Sequence, residues 1–203
     1  MKGRITVKTS GPGMFDTALC RFDDENAKDP NMEKCNDVDH PRELLYAQRL
    51  TEWVTRLSPR ASEALRLAAR CQHICRWMIP RSSYEMTRPG YLRWRNDLKQ
   101  FHAEKAGEIL REIGYSEDVI MEVQSFNLKK TFPKDPEIRV LEDALCLVFL
   151  QYQFAELLDR TDEAKMVGIL QKTWKKMTLE AQAHALRLPF NSKEKALIDR
   201  ALR

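Results

Sequence analysis

The chain lacks a long hydrophobic stretch: its longest apolar run, at 144–150, has seven residues. A helix that spans a bilayer needs about 20 such residues, so the sequence predicts no membrane segment. No basic stretch followed by an apolar one is found near residue 1, and no secretory signal is therefore expected. The five cysteines follow no metal-binding spacing, and we interpret them as reduced thiols of a cytoplasmic protein.

The sequence also lacks alternation of apolar and polar residues over any useful length outside 4–8, so few strands are expected. Apolar residues recur three and four positions apart instead, which is the spacing of amphipathic helices. The predicted helices are 15–22, 41–57, 61–77, 91–113, 116–128, 137–158, 161–177, 178–188 and 192–202, with a polar loop over 23–39. We therefore predict an all-α, single-domain helical bundle over residues 14–203, preceded by a flexible leader over 1–13.

The excess of basic over acidic residues is small, and the formal net charge is +4. Residues 76–99 alone carry six basic and two acidic side chains, which accounts for that excess. So small a charge does not favour nucleic-acid binding. In this segment arginines alternate with tryptophans and tyrosines. They could form a solvated face around core aromatics or a pocket for a phosphorylated ligand, and the near absence of lysine favours the pocket because guanidinium groups bind phosphate with two hydrogen bonds.

Three motifs resemble the His-Asp (HD) superfamily of metal-dependent phosphohydrolases. A-A-R-C-Q-H-I-C-R-W at 68–77 corresponds to its A-A-L-L-H-D-I-G-K helix, and F-H-A-E-K-A-G-E-I-L at 101–110 corresponds to its H-x-x-x-G-A-E-I-L helix. L-E-D-A-L at 141–145 corresponds to the helix that holds the final Asp. The resemblance covers roughly 41–154. It implies an HD-like core over about 41–158, followed by C-terminal helices over 159–203.

Within that superfamily the chain resembles most closely an uncharacterised domain family. Its members share E-L-L-Y-A-Q-R, C-Q-H-I-x-R-W-x-I-P-R, Y-L-x-W-R and L-E-D-x-x-C-L-V-F-L, which stand here at 43–49, 71–81, 91–95 and 141–150. Some members carry the label glutamyl-tRNA synthetase. That activity needs a nucleotide-binding α/β domain, and the sequence predicts no such strands.

The resemblance implies a set of site residues. Tyr46 stands at the position of the first metal-binding His, Gln72 and His73 stand at the His-Asp pair, and Asp143 stands at the last Asp. His102 matches the His that opens the second motif. His73, His102 and Asp143 are accordingly the candidate catalytic residues and the candidate ligands of a divalent metal. In the structural alternative, His73 is a hydrogen-bonded residue of the core. Asp143 is then a carboxylate near the N-terminus of its helix, where the helix dipole stabilises a negative charge.

Two function classes follow. The first is a divergent phosphohydrolase that acts on a phosphorylated small molecule or nucleotide. The second is a catalytically inactive binding module for such a ligand or for a protein partner. In both, the candidate ligand-binding residues are Tyr46, Gln72, Arg76, Arg81, Arg95, Lys129 and Lys130. The sequence favours neither of these two classes, and it does not indicate the oligomeric state.

Overall fold

The computed structural model describes residues 13–129 and 133–203, and these residues are mostly helical. The prediction of an all-α fold is confirmed. The helices are α1 Met14–Asn26, α2 Arg42–Leu57, α3 Glu63–Cys71, α4 Arg88–Ile113, α5 Glu117–Leu128, α6 Pro136–Val148, α7 Phe154–Asp159, α8 Glu163–Lys176, α9 Leu179–Ala185 and α10 Ser192–Leu202. Of the predicted leader, only Gly13 lies within the described residues, and Lys130 lies outside them.

Side-chain caps fix where most of these helices begin. Thr87 accepts a hydrogen bond from Gly90 N at the start of α4, and Asn191 forms a capping box with Glu194 at the start of α10. Gly114 ends α4 in the left-handed conformation, with φ 101°, which glycine adopts without strain. Within the described residues, no helix is both long enough and apolar enough to cross a membrane.

A short hairpin stands where the sequence predicted only a loop. Helix α1 continues to Asn26, and strands β1 Met32–Cys35 and β2 Val38–Pro41 then pair antiparallel. Asn36 and Asp37, with φ 50° and 62°, form the two-residue turn between them. Such a turn requires positive φ at both positions, and Asn and Asp tolerate it best after glycine. The Asn-Asp pair was the sequence signal for this hairpin.

The predicted helix over 61–77 is shorter than expected. Helix α3 ends at Cys71, and a turn leads to a 3₁₀ turn at Arg76–Met78. Cys75 adopts a left-handed conformation with φ 53°, and its backbone N–H donates to Asn26 Oδ1 at 3.1 Å. A buried side chain from α1 thus holds the chain out of the helical path. This turn places the residues after α3 along one wall of a cavity.

Helix α6 is the central element, and the helix predicted over 137–158 is not continuous. A π-helical turn, Phe149–Gln153, separates α6 from α7. Helix α6 packs against α2, α3, α8 and α9, and Leu147 is fully buried in the single hydrophobic core. Helix α4 packs mainly against α5 rather than against the central helix.

Candidate functional site

A cavity of about 370 Å³ opens between the end of α3, the first half of α4, α6 and α8. We call it the anion pocket, because five cationic side chains and one carboxylate line it. Its polar and charged lining consists of Tyr46, Gln72, His73, Arg76, Arg95, Lys99, His102, Lys129, Glu142, Gln153, Thr173 and Lys176. Most of the described residues that the sequence selected therefore lie together in one cavity.

Three of the five cations have no carboxylate partner. In the described part of the chain, no carboxylate oxygen lies within 4.0 Å of Arg95, Lys99 or Lys176. The other two are paired: Lys129 contacts Glu142, and Arg76 Nε lies 3.8 Å from Glu43 Oε1. The pocket thus carries a surplus of positive charge that side chains do not neutralise.

The surplus affects the ionisation of Lys99. Partial burial lowers the pKa of its ammonium group, and the nearby charges of Lys129, Arg95 and Lys176 lower it further. Glu142 acts in the opposite direction but does not reverse the shift. Like charges close together disfavour the charged form, so an anion bound among them would be stabilised by every one of these groups.

His73 lies at the edge of the anion pocket in a fixed orientation. Its ring stacks on Tyr46 with centroids 4.2 Å apart and planes inclined by 11°. Its Nδ1 lies 3.5 Å from Glu43 Oε2. Burial, followed by the charges of Arg76, Lys129 and Arg95, holds the pKa of His73 well below its ordinary range. The imidazole is therefore neutral at pH 7 while no anion is bound.

His102 presents an unpaired ring nitrogen. Its Nδ1 lies 2.8 Å from the carbonyl oxygen of Ile74, so Nδ1 carries the hydrogen and donates it. Nε2 is then an acceptor, and it is buried without a hydrogen-bond partner. Burial and the neighbouring His73, whose ring centroid is 5.8 Å away, lower the pKa of His102 to about 3. The ring is thus a neutral acceptor in the pocket wall.

Asp143 does not lie in this cavity, which corrects the expectation from the sequence. Its carboxylate accepts hydrogen bonds from the backbone N–H of Thr178, at 2.9 Å, and from the Thr178 hydroxyl. It therefore fastens the start of α9 to the central helix. The carboxylate in the anion pocket is that of Glu142, one residue earlier and about 100° around the helix.

Arg81 also lies elsewhere. Its guanidinium group donates to the carbonyl oxygens of Tyr84 and Glu85, at 3.0 and 2.6 Å, and reaches that of Thr87 at 3.4 Å. These bonds use its donors to close the loop that precedes α4. Arg76 and Arg95 line the pocket as predicted, and Lys130 lies outside the described residues.

Four charged residues of the site were missed by the sequence reasoning: Glu43, Lys99, Glu142 and Lys176. A signal existed for Glu43, which is three residues before Tyr46 and so shares its helix face. Burial and the nearby Asp29 raise the pKa of Glu43 to about 7, although Arg76 and Arg42 act against that shift. Lys176 comes from the C-terminal helices, outside the region that the family resemblance covers, and no local pattern marked it.

The residues present do not fit the divalent metal that the resemblance implies. The third expected ligand, Asp143, is bonded to Thr178. Within the described residues, no group of three or more His, Cys, Asp and Glu is arranged to hold a metal ion. The surrounding cations would also repel a dication, whereas hard dications require anionic oxygens.

A second cavity, of about 350 Å³, adjoins the anion pocket. We call it the balanced cavity, because its four arginines are accompanied by three carboxylates. Its charged and aromatic lining is Glu33, Arg42, Glu43, Tyr46, Arg49, His73, Arg76, Phe149, Tyr152, Glu156 and Arg160. Each carboxylate lies within 4.0 Å of at least one arginine. Little net charge is left for an ionic ligand.

The chain belongs to a family described as a domain of unknown function, DUF4202, whose model matches residues 16–198. The match includes both cavities and every described residue of the anion pocket. No curated protein and no solved structure matches the chain. The family description assigns no activity, so function must be argued from the site itself.

Proposed function

We propose that this protein binds a phosphorylated small molecule or nucleotide in the anion pocket. The observation that carries the proposal is the group of three cations without carboxylate partners, Arg95, Lys99 and Lys176, converging from α4 and α8 on one cavity. A concave site with convergent polar groups and a shifted pKa is the ordinary form of a ligand site.

A merely solvated basic face explains the pocket less well. On such a face, each cation extends into water and keeps an ordinary pKa, because water screens its neighbours. Here the Lys99 ammonium is partly buried and its pKa is lowered, so folding has placed like charges together at a cost. A phosphate dianion would offset that cost through hydrogen bonds that are strengthened by charge.

Two aromatic side chains of the pocket lie against its arginines. Trp94 is buried with its indole N–H bonded to the Ile79 carbonyl, and the Arg76 guanidinium lies 4.9 Å from the centroid of its ring. Tyr91 is largely exposed at the rim, with its ring 5.9 Å from that of Trp94. The Arg95 guanidinium lies 5.8 Å from the centroid of the Tyr91 ring, so these two rings help to hold Arg76 and Arg95 beside the phosphate site.

Calorimetric titration of the full chain with inorganic phosphate tests this proposal, with Lys176→Ala as the variant. Lys175→Ala is the matched control, because it removes the same charge from the next position of the same helix without touching the pocket. We expect the Kd of Lys176→Ala to rise about tenfold and that of Lys175→Ala to change less than about twofold. Equal effects, or no saturable binding to the unaltered chain, would overturn the proposal.

Phosphoester hydrolysis is a second candidate function, favoured by the bare Nε2 of His102 beside the neutral His73 ring. A neutral imidazole can accept a proton from an attacking water, and a bound phosphate dianion would raise the pKa of His102 from about 3 towards the range of an effective base. Release of inorganic phosphate from nucleoside monophosphates measures this activity. His102→Asn keeps a donor towards Ile74 and removes the base, so the rate should fall about a hundredfold. Binding of phosphate without any release from esters would make the protein a binding module.

A further inference from the structure

We infer that the balanced cavity is a second subsite, which holds the uncharged, ring-containing half of a ligand whose phosphoryl group occupies the anion pocket. The ligand class is then a nucleoside monophosphate rather than a small sugar phosphate or a diphosphate. The inference rests on the proposed function, because it assigns the phosphoryl group to the anion pocket.

The two cavities adjoin, because they share part of their lining. Five residues line both: Tyr46, His73, Arg76, Phe149 and Gln153. Gln153, at the end of the π-helical turn, is the exposed member, and its amide has no partner among the described residues. It offers both a donor and an acceptor at the junction. A molecule anchored in one cavity therefore meets a free hydrogen-bonding group on its way into the other.

The ion pairs of the balanced cavity disfavour a second phosphoryl group. Glu33 binds Arg49 and lies 4.0 Å from Arg42, while Glu156 lies 2.7 Å from Arg160 and 3.8 Å from Arg42. An added phosphate would repel these carboxylates and compete for arginines that they already hold. A neutral group with hydrogen-bonding edges meets no such repulsion, because it leaves the ion pairs in place.

The balanced cavity also presents planar surfaces. The Arg49 guanidinium lies 4.0 Å from the centroid of the Tyr152 ring, and Phe149 forms part of the same wall. The contact with Glu33 fixes Arg49, whose side chain is only 12% exposed. Guanidinium groups and aromatic rings stack on nucleobases. A ribose alone would gain little from these surfaces, and for that reason the base-containing ligand fits best.

The experiment compares three probes by calorimetry on the full chain: adenosine monophosphate, uridine monophosphate and inorganic phosphate. We expect both nucleotides to bind about tenfold more tightly than phosphate. Tyr152→Leu keeps an apolar side chain but removes the ring. It should weaken the binding of nucleotides about tenfold and leave that of phosphate within about twofold.

A second pair of variants keeps the test decisive if Tyr152→Leu does not fold. Gln153→Ala should weaken nucleotide binding, whereas Gln48→Ala, an exposed glutamine on α2 that lines neither cavity, should not. Phosphate and nucleotides bound with equal affinity, binding of both weakened equally by the Tyr152 variant, or nucleotide binding left unchanged by the Gln153 variant would overturn the second subsite while leaving the proposed function intact. Absence of phosphate binding would remove both.

Discussion

The anion pocket and the balanced cavity have similar volumes and share five side chains, yet they differ in charge. The anion pocket has five cations and one carboxylate, whereas the balanced cavity has four arginines and three carboxylates. Arg76 and His73 line both. The number of arginines and lysines therefore says little about what a cavity binds. What a cavity binds depends on whether carboxylates on neighbouring elements already pair with its cations.

The largest effect is expected from reversing one charge in each cavity. Lys99→Glu places a carboxylate among the unpaired cations and should weaken phosphate binding about a hundredfold in calorimetry. Arg160→Glu makes the same reversal in the balanced cavity, on an exposed arginine, and should alter the Kd less than about twofold. If both reversals weaken phosphate binding equally, net charge rather than the pocket controls binding.

Glu43, which lines the balanced cavity, is expected to make the stability of the protein depend on pH. Burial raises its pKa from 4.5 to about 7, so the folded state favours the neutral carboxyl. Its contribution to stability is full below pH 4.5 and is lost as the pH rises through about 7. Between pH 5 and 8, wild type should therefore lose on the order of 2 kcal/mol relative to Glu43→Gln in urea unfolding.

The comparison with Glu43→Gln is needed because the histidines act in the opposite direction. Their lowered pKa values make stability fall as the pH drops below about 6.5, which partly hides the effect of Glu43 in wild type alone. Unfolding free energies of wild type and variant that run parallel from pH 5 to 8 would show that Glu43 has an ordinary pKa.

A moderate effect on stability, without one on binding, is expected from Asp143→Ala. The change removes two hydrogen bonds to Thr178 and should lower the free energy of unfolding by about 1.5 kcal/mol. Because Asp143 does not line the anion pocket, the Kd for phosphate should stay within about twofold. Loss of phosphate binding by a folded Asp143→Ala protein would restore this carboxylate to the site.

The smallest effect is expected from Glu142→Gln, which keeps the shape of the side chain and frees Lys129 from its ion pair. The anion pocket then has a fourth unpaired cation, so phosphate should bind about threefold more tightly in calorimetry. Glu156→Gln is the control in the balanced cavity, where no gain is expected. Weaker phosphate binding by Glu142→Gln would mean that Glu142 orients Lys129 for the ligand.

Much of the fold followed from the sequence because its signals are local. Apolar spacing predicted most helices to within a few residues. The early end of α3 did not follow, since it depends on the Asn26 side chain reaching Cys75 across 49 positions. No periodicity over 61–77 contains that information.

The site was predicted in part, through the family resemblance rather than through local signals. Tyr46, His73 and His102 all line the anion pocket, although His73 lies in the turn after α3 and not on the helix that was predicted there. Asp143 was predicted because the sequence does not show that Thr178 binds its carboxylate, and Arg81 was predicted because the sequence does not show that the carbonyls of its own loop bind its guanidinium group. Such partners are set by tertiary packing, and a pattern of residue types cannot name them.

Arg81 has a consequence for the kinetics of recognition. Its bonds to the Tyr84 and Glu85 carbonyls close the loop before α4, and Tyr84 binds Asp97 on that helix at 2.9 Å. Gly90 lets the backbone approach, since a Cβ there would stand 2.2 Å from the Glu85 oxygen. The segment that carries Tyr91 and Arg95 is thus ordered during folding. An arriving ligand has little conformational entropy to remove, which favours fast and selective capture.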